Sequence, residues 1–198
     1  MSDITALRKR ALAARRALSD RERDDFSVRA ARRAARLPAL RRARRIGFFW
    51  PMAGEIDPRP LIARLGPGCT AFLPRVEGRA LSFVAVKSAA FRFRTSSFGL
   101  VEPIGGPVRP VNALDAIITP LAAFDGHARR IGMGGGFYDR TLALPEGLGG
   151  FRRPYLVGLA FEAQRVPHIE TRPWDIDLDV LVTESAIHRR AQRAGESR

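Results

Sequence analysis

The sequence predicts an α/β protein with a three-layer α/β/α arrangement, in which helices cover both faces of a mainly parallel sheet. Short segments that are apolar at successive positions alternate along the chain with segments of helical periodicity. Strands without a polar face are typical of sheets buried on both sides, and such sheets are mostly parallel. With 198 residues, the chain is predicted to form a single domain over 1–198.

The N-terminal part, residues 1–45, is predicted to be helical. Apolar residues recur at spacings of three and four over 4–18, which indicates the buried stripe of an amphipathic helix. Residues 19–22, Ser-Asp-Arg-Glu, have the pattern of a capping box and open a second helix that runs towards Leu37. A short third helical segment is predicted over 41–45.

This N-terminal part is also strongly basic. The chain has a net charge of +14, and residues 1–45 hold 15 Lys and Arg against 5 Asp and Glu. A basic face attracts nucleic acid, or a phosphorylated or polyglutamated small molecule. Alternatively, arginine is simply the usual solvated residue of these helices. The charge pattern alone leaves both interpretations open.

The composition also bounds the cellular setting. Cys69 is the only cysteine, so the chain has no internal disulfide and no cysteine cluster for zinc. Its apolar runs are much shorter than a membrane-spanning helix, and its N-terminus lacks the apolar segment of a secretory signal. We therefore predict a cytoplasmic protein without a membrane partner.

Apolar segments after residue 45 predict the strands of the sheet. Asp57-Pro58 has the features of a helix start between two of them, and Gly66 those of its end. Residues 92–112 are rich in Gly, Pro and Ser and are predicted to be a long loop, and 186–198 are predicted to be a frayed tail. The predicted strands are 46–50, 70–73, 81–86, 116–119, 155–161 and 180–183.

The ends of these strands predict where a ligand binds. In open parallel sheets, ligands bind beyond the carboxyl ends of the strands. Trp50-Pro51, Leu73-Pro74, Thr119-Pro120 and Phe161-Glu162 all stand at such ends. We therefore expect these four positions to converge on one site.

The segment from Arg130 to Arg140 carries the clearest chemical pattern. Four of the residues 132–136 are glycines, and a helix-compatible apolar run over 137–144 follows them. Such a turn lets backbone N–H groups approach a phosphate, and the helix N-terminus adds its dipole. Arg129 or Arg130 would add positive charge, and Asp139 could hold a metal ion that bridges the phosphates.

This pattern differs from the common nucleotide-binding motifs. The phosphate-binding loop G-x-x-x-x-G-K-[ST] requires a Lys and a Ser or Thr, which do not follow these glycines. The dinucleotide motif G-x-G-x-x-G has another spacing. A flexible glycine hinge is the alternative interpretation of the composition.

The complete string is more specific, and it resembles the signature of the 5-formyltetrahydrofolate cyclo-ligase family, also called methenyltetrahydrofolate synthetases. The family pattern G-x-R-[LI]-G-x-G-G-G-[YF]-Y-D-R stands here as Arg130 to Arg140. Further segments are similar to the family's basic N-terminal helix, its substrate-side segment and its C-terminal pattern: 7–19, 48–58, 158–164 and 173–184. The resemblance extends from about residue 4 to residue 184.

The resemblance implies an enzyme that couples ATP hydrolysis to ring closure. ATP would phosphorylate the formyl oxygen of 5-formyltetrahydrofolate, and a neighbouring folate nitrogen would attack the resulting imino-phosphate. The products would be 5,10-methenyltetrahydrofolate, ADP and phosphate. In such reactions the protein mainly positions the reactants and stabilises charge. The implied cofactors are ATP and Mg²⁺, and the implied partner is the folate, with one or more glutamates, bound by a monomer.

The resemblance also assigns roles to residues. The implied catalytic residues are Arg130 and Tyr138, and the implied Mg²⁺ contacts are Asp139 and Asp175. The implied ATP-binding residues are Arg8, Gly132, Met133, Gly134, Gly135, Gly136, Phe137, Tyr138 and Asp139. The implied folate-binding residues are Trp50, Glu55, Gly134, Gly135, Gly136, Phe137 and Tyr138.

Glu55 and Trp50 suit the chemistry of a pterin ring. A carboxylate accepts a pair of pterin N–H donors well, and a flat indole suits a flat heterocycle. The segment 72–74 is expected to add to the same wall. One departure from the family is Ile4, where members often carry a lysine four residues before the helix arginine; Lys9 or Arg10 could replace that phosphate contact.

Three other functions are consistent with parts of the sequence. A nucleic-acid-binding protein would use the basic N-terminal helices, but it leaves the glycine string and Asp175 unexplained. A catalytically degenerate family member would bind folate or nucleotide without turnover, although the match at Glu55, Asp139 and Asp175 argues against it. Another enzyme class with the same layers, such as a sugar-phosphate isomerase or a coenzyme A transferase, is consistent with the fold alone.

Overall fold

A computed structural model describes residues 3–86, 92–96, 101–143, 153–172 and 175–190 of the chain. The helices are α1 (Ile4–Ala17), α2 (Asp20–Ala34), α3 (Pro38–Arg42), α4 (Arg59–Ile62) and α5 (Phe137–Leu142). The strands are β1 (Arg45–Gly47), β2 (Thr70–Glu77), β3 (Ala80–Val86), β4 (Phe93–Thr95), β5 (Val101–Pro103), β6 (Val108–Arg109), β7 (Ala116–Thr119), β8 (Ala123–Phe124), β9 (Arg130–Ile131), β10 (Tyr155–Leu159), β11 (Val180–Val182) and β12 (Ile187–Arg189).

The main sheet among the described residues has eight strands and a parallel centre. Its strand order is β12-β11-β10-β7-β1-β2-β3-β6. The neighbours from β11 to β2 are parallel, whereas β3, β6 and β12 run antiparallel at the two edges. The predicted α/β class with a mainly parallel sheet is thereby confirmed.

Both faces of the sheet are buried. Each strand contributes to both, because side chains of successive strand residues point to opposite faces. On one face, Ile46, Ile118 and Val157 pack in a core with residues of α2, α3 and α4. On the other face, Ile117 and Leu156 pack in a second core with α5 and the long connections. The continuous apolar strands of the sequence therefore supply two cores, one on each side.

The first two helices begin where the sequence predicts. Asp3 accepts a hydrogen bond from the backbone of Thr5 at the start of α1. Ser19 and Glu22 form the predicted capping box of α2, with both reciprocal hydrogen bonds present. Helix α1 buries Ala11 in a third, smaller cluster beside the β8–β9 hairpin. This packing brings α1 next to the segment that follows β9.

Several predicted boundaries are wrong. The third helix is 38–42 instead of 41–45, since a proline suits the first turn of a helix. Strand β1 ends at Gly47, and Phe48 and Phe49 continue as buried irregular chain that periodicity does not distinguish from strand. Helix α4 covers only 59–62, although the Asp57 side chain still accepts from the backbone N–H of Arg59, at 2.9 Å.

Two predicted irregular regions contain strands. The region 92–112 includes β4, β5 and β6, and an ion pair between Arg94 and Glu102 links β4 to β5. The predicted tail 186–198 includes β12, which pairs with β11, while 191–198 lie outside the described residues. These strands have only two or three residues each, which is too short for a periodic pattern to show in the sequence. No helix in the described ranges is both long and apolar enough to cross a lipid bilayer.

Gly158, in strand β10 of the sheet, leaves no room for a side chain. A Cβ at Gly158 would meet Leu178 at 2.5 Å and both Leu121 and Leu181 at 3.1 Å. Overpacking of this kind costs about 1–3 kcal/mol. We therefore expect Gly158→Ala to lower the melting temperature by several degrees in a thermal unfolding experiment. Gly68→Ala, where no atom lies within 4 Å, is the control; equal melting temperatures for the two variants would contradict the packing.

Candidate functional site

An apolar cavity of about 270 Å³ lies at the carboxyl end of the parallel strands. Three of the predicted strand ends meet there, since Trp50, Pro74 and Pro120 all line it. The fourth does not, because Glu162 instead bonds Thr183, at 2.7 Å, near the sheet edge. The other lining residues are Phe49, Met52, Glu55, Leu81, Val101, Arg130, Gly132, Met133, Gly135, Gly136, Phe137, Tyr138 and Asp139.

A second, polar cavity of about 160 Å³ adjoins the first. The two cavities share Arg130, Gly132, Gly136 and Asp139 as a common wall. The remaining lining residues of the polar cavity are Ile4, Arg8, Ile131, Gly134, Ile169, Glu170, Arg172 and Asp175. The glycine-rich segment therefore separates an apolar compartment from a charged one.

The shape of the glycine-rich segment requires glycine at two positions. Gly134 has φ +106° and Gly136 has φ +64°, and residues with a side chain rarely adopt such backbone angles. Two arginines hold the segment through its carbonyl groups: Arg8 Nε donates to Gly132 O at 3.0 Å, and Arg140 Nη2 donates to Gly135 O at 2.7 Å. Because the following helix α5 has only 6 residues, its dipole is small. The charge for an anion therefore comes mainly from arginine side chains.

Arg130 supplies a buried positive charge to both cavities. Its guanidinium donates a hydrogen bond to Asp139 Oδ1, and its Nε is buried without a partner among the described residues. The neighbouring Arg129 instead donates to Ile169 O at 2.9 Å and lines neither cavity. Of the two arginines considered in the sequence, Arg130 is the one that faces the site.

Two carboxylates in the polar cavity suit a magnesium ion. Asp139, in the first turn of α5, is partly exposed, and Asp175 Oδ2 accepts from the backbone N–H of Arg172 at 2.8 Å. Within the described ranges, no group of three His, Cys, Asp or Glu residues could hold a metal. Mg²⁺ is usually bound by one or two carboxylates together with substrate phosphates and water. The pair therefore fits an ion that arrives with a phosphate ligand.

Glu55 places a nearly buried carboxylate in the apolar cavity. Its side chain is 6% exposed, and its Oε2 accepts from the Met52 N–H at 3.0 Å. Arg15 of α1 stands 3.5 Å from Oε1. Burial raises the pKa of Glu55, whereas the Met52 N–H and Arg15 oppose that rise. The apolar cavity thus contains a carboxyl group whose ionisation is disfavoured by burial and favoured by Met52 and Arg15.

Tyr138 contributes a buried hydroxyl group to the apolar cavity. The oxygen is buried and has no hydrogen-bond partner within the described part of the chain. Burial and the nearby Glu55 raise the pKa of Tyr138, while Arg130 opposes them, so the phenol stays neutral. An unpaired buried hydroxyl is unfavourable. It is therefore free to bond a ligand in the apolar cavity.

Trp50 forms a flat wall at the mouth of the same cavity. Its ring is 4.8 Å from that of Phe93, and the Arg59 guanidinium lies 5.4 Å from the indole centre. These contacts fix the indole plane at one side of the cavity. Phe72, which the sequence predicted beside it, packs in the core instead, and only Pro74 of that segment reaches the cavity.

The structure brings the predicted residues together in two groups. Arg8, Gly134 and Asp175 line only the polar cavity, although Gly134 was also predicted to contact the folate. Residues predicted for ATP that line only the apolar cavity are Met133, Gly135, Phe137 and Tyr138, and Trp50 and Glu55 line it with them. Both cavities are lined by Arg130, Gly132, Gly136 and Asp139. Lys9 and Arg10, considered as replacements near Ile4, line neither. Pro173 and Trp174 of the matching C-terminal pattern lie outside the described residues. Among the residues near the cavities that the sequence did not predict are Arg15, Met52 and Arg172.

Comparison with known proteins identifies the family of the chain. A sequence model described as the 5-formyltetrahydrofolate cyclo-ligase family matches residues 1–184. The chain is 33% identical over 182 residues to the 5-formyltetrahydrofolate cyclo-ligase of Escherichia coli K12, covering 87% of this chain and 96% of that protein. It is 34% identical over 156 residues to the enzyme of the same name from Haemophilus influenzae, covering 75% and 81%.

Solved structures show the same fold. The NMR structure of Aquifex aeolicus 5,10-methenyltetrahydrofolate synthetase superposes with a TM-score of 0.81 at 32% identity, covering 98% of this chain and 96% of that one. The synthetase of Mycoplasma pneumoniae superposes with a TM-score of 0.69 at 22% identity, covering 92% and 99%, and at that identity it supports the fold alone.

Burial of Glu55 predicts a pH dependence of stability. Because its pKa is raised above 4.5, the folded state binds this proton more tightly than the unfolded chain does. The contribution of Glu55 to stability is therefore present below about pH 4.5 and lost as pH rises through the raised pKa. Glu55→Gln has no such proton, so its melting temperature relative to wild type should increase over that interval.

Melting temperatures of both proteins between about pH 4 and pH 8 test this prediction. Glu55→Gln also leaves Arg15 without its ion-pair partner, which lowers the melting temperature of the variant where Glu55 of the wild type is ionised. Glu170→Gln, at an exposed carboxyl group, is the control. A difference between wild type and Glu55→Gln that stays constant with pH would show that Glu55 titrates like an exposed glutamate.

Proposed function

The chain belongs to the 5-formyltetrahydrofolate cyclo-ligase family, and on that premise we propose that it uses ATP to convert 5-formyltetrahydrofolate to 5,10-methenyltetrahydrofolate, with release of ADP and phosphate. One observation carries the proposal beyond the family name. A single glycine-rich wall separates an apolar cavity from a charged one, so two substrates can meet across it.

The folate binds in the apolar cavity. Trp50 and Phe137 offer flat surfaces to the pterin, and Glu55 accepts N–H donors of the ring. The unsatisfied hydroxyl of Tyr138 supplies a donor for an oxygen of the substrate. This orientation directs the formyl group towards Arg130 and the glycine-rich wall.

The ATP phosphates bind in the polar cavity. Arg8, Arg130 and the glycines at 132, 134 and 136 line this cavity, and Asp139 and Asp175 would hold Mg²⁺. When bound, Mg²⁺ neutralises phosphate charge and orients the transferred group. Arg130 is already buried in both cavities, so its charge needs little reorganisation when the phosphoryl group moves.

The reaction then takes place in two displacements. The formyl oxygen attacks the γ-phosphorus of ATP, and ADP leaves with the electron pair of the broken P–O bond. The folate N10 next attacks the formyl carbon of the imino-phosphate, a C–N bond forms, and phosphate leaves with the oxygen while N10 loses its proton. An amide oxygen is a poor leaving group, and phosphorylation corrects this.

Two alternative functions explain the site residues less well than this proposal. A degenerate binder would have no use for paired acidic residues, yet Asp139 and Asp175 line one cavity. A nucleic-acid binder would use the basic helices, and binding that falls steeply with salt would support it. That the protein is a cytoplasmic monomer, and that it accepts folates with one or more glutamates, stay predictions.

An absorbance assay with purified protein, 5-formyltetrahydrofolate, ATP and Mg²⁺ tests the proposal. Growth of the near-ultraviolet band of the methenyl product should require ATP. Asp139→Ala should lower kcat/KM on the order of 100-fold or more, because the ion loses a ligand. Asp177→Ala removes a carboxylate of the same segment that pairs with Arg190 outside both cavities, and it should stay within about twofold of wild type.

Other results would contradict the proposal in different ways. If the wild type binds both ligands but forms no product, the degenerate alternative is favoured. If the wild type binds neither ligand, the assigned activity is wrong. If Asp139→Ala and Asp177→Ala lose activity equally, the metal assignment fails although the reaction stands.

A further inference from the structure

One face of α1 reaches both cavities. Arg8 and Arg15 are seven residues apart, so they lie within about 20° of each other around the helix and about 10 Å apart along it. Arg8 bonds the glycine-rich segment at Gly132 beside the polar cavity, whereas Arg15 contacts Glu55 in the apolar one. Between them, Ala11 is buried against the rest of the protein. The helix therefore holds both arginines in a fixed relation.

The contact between Arg15 and Glu55 is almost dry. Their side chains are 8% and 6% exposed, and the Nη1–Oε1 distance is 3.5 Å. Mostly apolar residues surround the pair on its inner side, including Phe49, Ile56 and Leu159. Solvent therefore screens this pair little, and each charge depends on the other.

Stability alone does not explain such a pair. Burial lowers the pKa of Arg15, which Glu55 only partly offsets, and Arg15 Nε has no hydrogen-bond partner within the described residues. Replacing a buried ion pair by apolar side chains is often neutral or stabilising. A buried arginine with an unsatisfied nitrogen is thus a costly way to pack a helix.

We propose that Arg15 is a positioning residue that keeps Glu55 an oriented carboxylate for the folate ring, an inference that rests on the proposed function. Glu55 must accept two N–H donors, and a protonated carboxyl group has an O–H donor in place of one acceptor. Arg15 acts only through Glu55, because it does not line the apolar cavity itself.

Of the groups that face Glu55, Arg15 is the one whose charge stabilises the ionised carboxylate by an ion pair. From α5, Tyr138 presents a neutral hydroxyl, and within its own segment Glu55 accepts the Met52 N–H. From the turn at 162–164, Gln164 donates its amide to the carbonyls of Leu121 and Ala122. Within the described part of the chain, Arg15 is the only cation in ion-pair contact with Glu55.

Substitutions at two adjacent arginines of α1 test the proposal. Arg15→Met removes the charge and keeps an apolar stem of similar length. It should raise the KM for 5-formyltetrahydrofolate at least about tenfold at neutral pH and leave the KM for ATP and kcat within about twofold. Arg16→Met, at an exposed position of the same helix, is the matched control and should behave like wild type.

The pH profile separates positioning from a structural role. Without Arg15, the acidic limb of kcat/KM for the folate should move to higher pH by about one unit, because ionised Glu55 loses its stabilising charge. Arg15→Lys retains the charge, so its acidic limb should stay near that of wild type. Should Arg15→Met not fold, Arg15→Gln replaces it. A Glu55→Gln background should abolish the effect of Arg15→Met on the folate KM.

Each outcome decides between the two claims. An active wild type with an unchanged folate KM and pH profile in Arg15→Met overturns the inference and leaves the proposed function intact. Equal increases in both KM values, or an effect of Arg15→Met that persists in Glu55→Gln, also overturns it. A wild type that forms no methenyl product overturns the proposed function and the inference together.

Discussion

The arrangement of the site depends on the narrow glycine-rich turn between β9 and α5. A chain with side chains at Gly134 and Gly136 would not adopt these backbone angles without strain. Because the turn is thin, its two sides can line different cavities while Arg130 and Asp139 belong to both. The short β8–β9 hairpin and helix α1 hold this turn in place from one side, and Arg140 holds it from the other.

The many arginines of the chain divide into a few with contacts at the site and many on the surface. Arg8 and Arg15 turn inwards from α1, and Arg33 of α2 donates to the carbonyls of Thr183 and Glu184. Most other basic residues of the N-terminal helices are exposed. The contacts of this region with the rest of the protein thus come from a few inward-facing arginines, and they explain its position beside the site without a nucleic acid partner.

Local signals made the fold class and much of the site predictable. The capping box at Ser19 and Glu22 depends only on residues three apart, and continuous apolar strands reveal a sheet buried on both faces. The glycine-rich segment was recognisable because its spacing is specific. Trp50 and Glu55 followed from the resemblance, and the structure then placed both in one cavity.

Features that depend on distant contacts were not predictable. Strand β5 exists because Glu102 and its neighbours pair with β4, and no periodicity in a proline-rich region reveals that. Arg15 is one of many basic residues in its helix, and only the fold brings Glu55 beside it. Its spacing of seven from Arg8 was the one available signal, since that spacing predicts a shared helix face.

In the proposed reaction, the formyl oxygen of the folate in one cavity meets the γ-phosphate of ATP in the other. Labelling that oxygen with ¹⁸O and analysing the released phosphate by mass spectrometry tests it most directly. Direct transfer across the glycine-rich wall predicts one ¹⁸O atom in each phosphate formed. Unlabelled phosphate, with the label released into water, would show that ATP hydrolysis does not proceed through the formyl group and would rule out this transfer.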